Sequence, residues 1–99
     1  MLPFLYLTTK GRVSGKDHEI EIWYVEYNGK YYLLSGGYEK SDWVKNIWNN
    51  PNITFKVNHK LFQGTASIIK DPSLISLVKD LMSKAYRWTD GLPIELTPT

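Results

Sequence analysis

Cysteine is absent from the 99 residues. Its absence excludes a disulfide framework, a thiolate zinc site and a cysteine nucleophile together. Histidine is scarce: His18 and His59 stand far apart with no clear third ligand, too sparse for a metal site. Charge is nearly balanced, with 12 Lys+Arg against 10 Asp+Glu and a net of +2. That is too small a field to draw nucleic acid or an anionic membrane unaided. No apolar run approaches the roughly 20 residues that a membrane-spanning helix needs. Met1 to Leu7 is apolar but lacks a basic flank and a small-residue cleavage site, so no secretory leader is expected and the expected compartment is the cytoplasm. No repeat, low-complexity tract or linker breaks the chain, which reads as a single domain over residues 1–99.

What the chain does have is apolar and aromatic content. Residues of the hydrophobic class make up 42%, including four Trp, seven Tyr and three Phe, too many for a disordered segment. A chain this short buries roughly 60–70% of its unfolded surface, which implies one modest core and no second one. The surplus of aromatics over what such a core can hide points to a homodimer.

Periodicity assigns the elements. Phe4 to Thr8 is a short β-prone run, stopped by a loop from Lys10 to Asp17 with two glycines and several charges. Ile20, Ile22 and Tyr24 alternate with Glu19, Glu21 and Trp23, the pattern of a strand. Asn28-Gly29 between two β-rich runs signals a hairpin, with Tyr31 to Ser35 as the return strand. Ser41 is placed to cap a helix whose apolar positions are Trp43, Val44, Ile47 and Trp48, ended by Asn50-Pro51. Ile53, Phe55 and Val57 form a strand with one wet face. A tight turn at Asn58-His59-Lys60 leads into a strand from Leu61 to Ile69, where Gly64 and Ala66 permit close approach of a neighbour. Asp71-Pro72 opens a second helix with apolar residues from Leu74 to Ala85. Leu92 to Leu96 reads as an edge strand, since Pro93 and Pro98 suit no ladder interior. The fold class is mainly β with two helices (α+β): six short strands in so small a chain must curl to protect their edges, so a small barrel is expected.

Two segments can carry chemistry. In the first, Lys10, Arg12 and Lys16 surround Gly11, Ser14 and Gly15. Glycines let backbone N–H groups approach an anion, Ser14 offers a donor and Arg12 can grip a phosphate in bidentate fashion; the bland reading is a charged hairpin loop. In the second, Ser35-Gly36-Gly37 lies between a strand and a helix start, where exposed amides suit an anionic or planar ligand. Tyr86 and Trp88 follow the second helix and are candidates for a pocket wall or lid. A Ser–His–Asp triad built on Ser14 and His18 has no nucleophile elbow behind it and is rejected.

In order along the chain, Leu7-Thr8-Thr9-Lys10-Gly11-Arg12-Val13-Ser14-Gly15-Lys16, Ser35-Gly36-Gly37 with Glu39-Lys40, Trp43 with Asn46, Asn50-Pro51, and Trp88-Thr89-Asp90 with Leu92-Pro93-Ile94 resemble the deazaflavin-dependent nitroreductase family. That family is part of the wider group of FMN-binding split barrels related to pyridoxamine phosphate oxidases. The resemblance implies a six-stranded split β-barrel, packed as a homodimer, with a cofactor in a groove near the interface. The cofactor would be a deazaflavin (coenzyme F-420) or FMN, and the reaction hydride transfer to an organic acceptor such as a quinone or nitro compound. Lys10, Arg12, Ser14, Gly15 and Lys16 would hold its anionic arm. Ser35, Gly36, Gly37, Lys40, Trp43 and Asn46 would line the ring and its linker, and Tyr86 and Trp88 would cover the substrate side. A proton for the acceptor would come from Tyr86, Ser35 or solvent. The family usually carries Lys where this chain has Val13, and Arg and Pro where it has Glu19-Ile20-Glu21. The acidic pair adds repulsion toward a polyglutamate tail and keeps FMN in contention. The alternative class is a non-enzymatic barrel: a flavin or deazaflavin carrier, or a nucleic-acid module using aromatics beside Lys56, His59 and Lys60.

Overall fold

The structure, a computed structural model, describes residues 4–99; Met1 to Pro3 of the apolar N-terminal run lie outside the described residues. Seven strands and two helices follow in the order β1 (Phe4–Lys10), β2 (Asp17–Trp23), β3 (Val25–Tyr27), β4 (Lys30–Ser35), α1 (Asp42–Asn49), β5 (Asn52–Val57), β6 (Lys60–Ile68), α2 (Pro72–Tyr86) and β7 (Leu92–Pro98). The strands form one sheet in the order β2-β1-β5-β6-β7-β4-β3, antiparallel throughout.

The count is seven rather than six because the expected second strand breaks at Tyr24. That ring is buried in the core, and the kink sends β2 and β3 to opposite edges of the sheet. The two edges are therefore consecutive in the chain, so the sheet must curl on itself. The Tyr86 hydroxyl donates to the Tyr24 carbonyl at the break, supplying a partner where the ladder stops.

β7 is interior, not an edge, and pairs with β4 and β6 at once. Its prolines are tolerated because of register. The Pro93 carbonyl accepts from the Ile69 N–H, so residue 93 faces the β6 side, one position past the last paired residues, Ile68 and Ile94. Pro98 faces the opposite side, beyond the last β4 partner at Leu96. Each missing N–H falls where the neighbouring strand has already ended. Gly64 serves as expected: a side chain there would collide with the Thr97 carbonyl of β7.

Two buried clusters form instead of one core. Leu5, Leu7, Tyr31, Leu33, Phe55, Ile94 and Leu96 fill the curl of the sheet. Tyr32, Leu34 and Ile69 meet Val78 and Met82 of α2 on its outer face. β4 explains the division, since its run Tyr31-Tyr32-Leu33-Leu34 is buried on both faces. Asp71 caps α2 by accepting from the Ser73 N–H at 3.0 Å, with Pro72 in the first turn. Ser41 occupies the cap position of α1 but makes no capping bond. The turns Asn28-Gly29 and Asn58-His59 both adopt positive φ, as tight hairpins of this twist require.

Under α2, the Tyr32 hydroxyl donates to Glu95 Oε2 at 3.0 Å. Burial, and then Glu95, push the phenol up to about 12. The folded state thus favours the protonated form. The stability this contributes is complete below pH 10 and is lost as pH rises toward about 12. Chemical denaturation of Tyr32→Phe across this range should show a loss of stability shallower by roughly 2–3 kcal/mol than in the parent. An identical alkaline loss in both proteins would remove Tyr32 as its source.

Candidate functional site

The hairpin loop between β1 and β2 is closed at its mouth by an ion pair between Lys10 Nζ and Asp17 Oδ1 at 2.6 Å. Within it the Gly11 N–H donates to the Lys16 carbonyl (2.8 Å), the Gly15 N–H to the Gly11 carbonyl (2.9 Å) and the Lys16 N–H to Ser14 Oγ (3.1 Å). Gly15 sits at φ 72°, which its lack of a Cβ allows. The expected cradle of bare amides is therefore largely used up inside the loop. What the loop presents to a ligand is side chains.

Asn46 of α1 organises these side chains. It is buried, and its Oδ1 accepts from the Arg12 N–H (3.2 Å) and from Arg12 Nη1 (2.9 Å) while its Nδ2 donates to Thr9 Oγ1 (3.1 Å). One amide thus joins β1, the loop and the helix. Arg12 continues to Asp42, the first residue of α1, donating to its carbonyl (3.4 Å) and its Oδ1 (3.2 Å). A guanidinium carries five N–H donors; three contacts leave the Nε–H and one Nη2–H for a ligand.

The diglycine turn meets the same helix end. Ser35 Oγ donates to the Tyr38 carbonyl at 3.0 Å and lies 2.9 Å from Ser41 Oγ. A hydroxyl has one proton, so Ser41 is the donor in the second contact. Its hydroxyl is thereby diverted from capping. Gly37 must lack a side chain, because a Cβ would strike Ser41 Oγ. The Tyr38 hydroxyl donates to Asp90, pinning the short 3-10 turn Tyr38–Lys40 to the segment before β7. The Gly37 carbonyl accepts from the Lys40 N–H at 3.0 Å, while the Gly36 and Gly37 N–H groups donate no hydrogen bond among the described residues. The contacts Arg12–Asp42, Ser41–Ser35 and the diglycine are thus continuous around the start of α1.

Two cavities lie along β2, one toward each of these turns. The strand's inner residues His18, Ile20 and Ile22 lie opposite Thr9, Leu7 and Leu5. At one end a cavity of about 480 Å³ is lined by Arg12, Ser14, His18, Ile20, Trp43 and Asn46. At the other a cavity of about 300 Å³ is lined by Ile22, Trp23, Leu34, Gly36 and Trp88. Both volumes suit small-molecule sites, and their β2 residues adjoin, 18–20 in the first and 21–23 in the second, so the far ends, His18 and Trp23, stand roughly 17 Å apart along the strand. Trp23 stacks on Tyr86 with centroids 4.9 Å apart and planes 14° apart, and meets Trp88 edge-on at 6.3 Å. Charge and hydrogen-bond donors gather at one end, aromatic surface and bare amides at the other. An elongated ligand with an anionic arm and a flat ring fits that distribution.

Several expected site residues stand elsewhere or act differently. Lys10 is held by Asp17 and lines a separate polar cleft with Thr54 and Gln63. Lys16 and Lys40 are exposed and line neither of the two cavities along β2. Ser35 is 1% exposed with its proton on a carbonyl, so it shapes the turn and is not a proton donor to a ligand. Tyr86 is likewise hydrogen-bonded to the Tyr24 carbonyl, and burial pushes its phenol up. Trp88 packs over Gly36, where an added Cβ would lie 3.5 Å from its ring. Near the second hairpin, Lys60 Nζ stands 5.2 Å from the Phe62 ring, which stacks inward on Phe55 and offers no exposed platform for bases. Sequence reasoning missed Thr9, Asp42 and His18. Helical spacing was an available signal for Asp42, four residues before Asn46; His18 had none.

Asn46→Ala would leave the Arg12 donors and the Thr9 hydroxyl without their buried partner. Urea unfolding should show a loss of about 2–3 kcal/mol. A change below about 0.5 kcal/mol, the size of an ordinary surface substitution, would show that the amide is not the joint described.

A family model described as F420H(2)-dependent quinone reductase matches residues 1–93. No curated protein matches the sequence. A solved structure described as an F420-H2 dependent reductase superposes with a TM-score of 0.77 at 25% identity, over 95% of this chain and 92% of that one. One described as a domain-swapped dimer gives 0.77 at 26% identity, over 95% of this chain and 78% of the other. A pyridoxamine 5'-phosphate oxidase-like protein from Listeria innocua gives 0.79 at 16% identity, over 98% and 84%. The curled sheet with two helices is the split barrel of that last group.

Proposed function

The chain belongs to the F420H(2)-dependent quinone reductase family, a deazaflavin-dependent reductase by kind, and on that premise we propose that the two cavities along β2 act as one groove that holds coenzyme F-420 and presents it to a quinone or nitro acceptor. The observation that carries this reading is the pair of cavities along one strand, β2, with Arg12 and Asn46 at the first and Gly36 and Trp88 at the second. Arg12 and Ser14 bind the anionic arm. Trp43 and Asn46 border its linker, the Gly36 and Gly37 amides meet the polar edge of the ring, and Trp23, Tyr86 and Trp88 wall the acceptor side.

When bound, the reduced deazaflavin supplies the hydride. The residues of the chain orient and desolvate, and this suffices for a transfer whose reactivity resides in the ring. Ser35 and Tyr86 act as positioning groups, since both hydroxyl protons are held by backbone carbonyls. The acceptor's proton then comes from water at the open groove. FMN, with a single phosphate, is the competing occupant of the same site.

The proposed enzyme works in the cytoplasm as a homodimer. Exposed Trp48 (71%) and Leu61 (64%) support the second point, as does the similar structure described as a domain-swapped dimer. A charge at the more exposed of the two, Trp48→Glu, should convert a dimer to monomer in sedimentation at micromolar concentration. A parent protein that is already monomeric there would end the dimer proposal.

Separate fluorescence titrations with coenzyme F-420 and FMN test the cofactor, with tighter binding of F-420 expected. Arg12→Ala should weaken that binding by about 10- to 100-fold, or 1.5–3 kcal/mol, the range of a charge-assisted hydrogen bond. Unchanged affinity in a folded Arg12→Ala protein would remove Arg12 from the site, and binding of neither molecule by the parent would overturn the reading.

A further inference from the structure

His18 lies at the anion end of the groove with no role in the reading above. Its Nε2 packs against the bare Cα of Gly11: a Cβ built there would stand 2.7 Å from Nε2 and 2.9 Å from Ser14 Oγ. The imidazole therefore fills the space a side chain at residue 11 would take, beside the Ser14 hydroxyl and on the wall shared with Arg12.

The charged groups around it leave no excess of positive charge. The loop brings Arg12 and Lys16. Arg12 is paired with Asp42 of α1 at 3.2 Å. Lys10 of β1 is paired with Asp17 of β2 and both line the separate polar cleft, Lys16 does not line this cavity, and Glu19, next along β2, does. Opposite His18 on β1 stands Thr9, and behind it on α1 stands Asn46, both uncharged. In the lining of this cavity one cation, Arg12, meets two carboxylates, Asp42 and Glu19, so with His18 neutral this end of the groove has no net positive charge for an anion. A proton on His18 adds a second cation to this lining, and imidazole is the side chain that exchanges a proton between pH 5 and 8.

We propose that His18 is a binding residue for the ligand's anionic arm and that binding of the arm is coupled to uptake of a proton by His18 from solvent. The coupling rests on the groove being the cofactor site. Its direction follows from linkage: an anion stabilises the charged imidazole, so the charged imidazole strengthens anion binding, and affinity rises as pH falls. The reductase would then hold its cofactor more tightly under mild acidity.

Titrations of coenzyme F-420 and of FMN at pH 8 and at pH 5.5, in the parent and in His18→Gln and His18→Lys, test this. Any titration of the ligand itself is common to all three proteins and cancels in the comparison. Relative to His18→Gln, the parent should gain about five- to tenfold in affinity at the lower pH, corresponding to somewhat under one pKa unit of coupling. His18→Lys, charged at both values, should bind tightly at both. Calorimetry at pH 6.5 in two buffers of different ionisation enthalpy should record proton uptake on binding by the parent and by a His59→Gln control, and none by His18→Gln. A histidine that only fills space would leave pH response and proton uptake the same in all variants, and that result overturns the inference while the cofactor site stands. If the parent binds neither molecule at either pH, the cofactor reading falls and the inference falls with it.

Discussion

The site depends on one buried amide. Asn46 is 4% exposed, and a buried amide must find partners or cost about 1–3 kcal/mol. Arg12 has only donors to offer, so the amide oxygen must face it and the nitrogen must face Thr9. That choice sets the rotation of α1. Residues three and four positions earlier share the helix face, so Trp43 and Asp42 turn toward the loop with Asn46. The groove's polar end follows from this orientation: one wall is the loop, the other the face of a helix that a hydrogen bond holds in place. The N-terminus of α1 is anchored as well, through Ser41 to Ser35, so the diglycine turn and the anion loop are held by the same eight-residue helix.

The sheet supplies the remaining wall by how it is divided. β4 is apolar on both faces because it serves two clusters, one inside the curl and one beneath α2. β2, at the edge, has no strand beyond it and gives its inner residues Ile20 and Ile22 to a groove lined on its far side by side chains of other elements. An edge strand normally invites another chain to pair with it. Here Glu19 and Glu21, exposed and alternating with Ile20 and Ile22, set like charges against any second copy added in register. These acidic residues thus keep an edge open as well as altering the field of the cavities they line.

Much of the fold was legible because its signals are local. Alternation around Ile53 and Phe55, the Asn28-Gly29 turn and the Asp71-Pro72 start of α2 each depend on a few neighbouring residues, and each appears where periodicity puts it. The misplaced element was β7. Proline argues against an interior strand only if its absent N–H faces a partner, and that depends on where β4 and β6 end, which no window around Pro93 contains. Tyr24 interrupting the second strand is similar, since its burial is decided by the curl of the whole sheet. At the site, the loop and the diglycine were recognisable as segments. Their roles changed because Arg12 and Asn46 are 34 positions apart, and because the hydroxyls of Ser35 and Tyr86 turn to backbone carbonyls that only the folded chain brings near.

The arrangement of charge bears on the chemistry the groove can perform. Arg12 is gripped on two sides before any ligand arrives, so little side-chain entropy remains to be lost when its free N–H groups meet an anion. The same grip has a cost: Asp42 lowers the attraction Arg12 exerts, so affinity must come from geometry and apolar contact as well as from charge. A ligand held in this way is oriented more by shape than by charge. This suits hydride transfer, where the bound ring supplies the reactive bond and the protein needs to exclude water from one face and align the acceptor on it. Trp23, Tyr86 and Trp88 lie where that face would be, and their mutual packing makes the wall rigid without any polar group having to move.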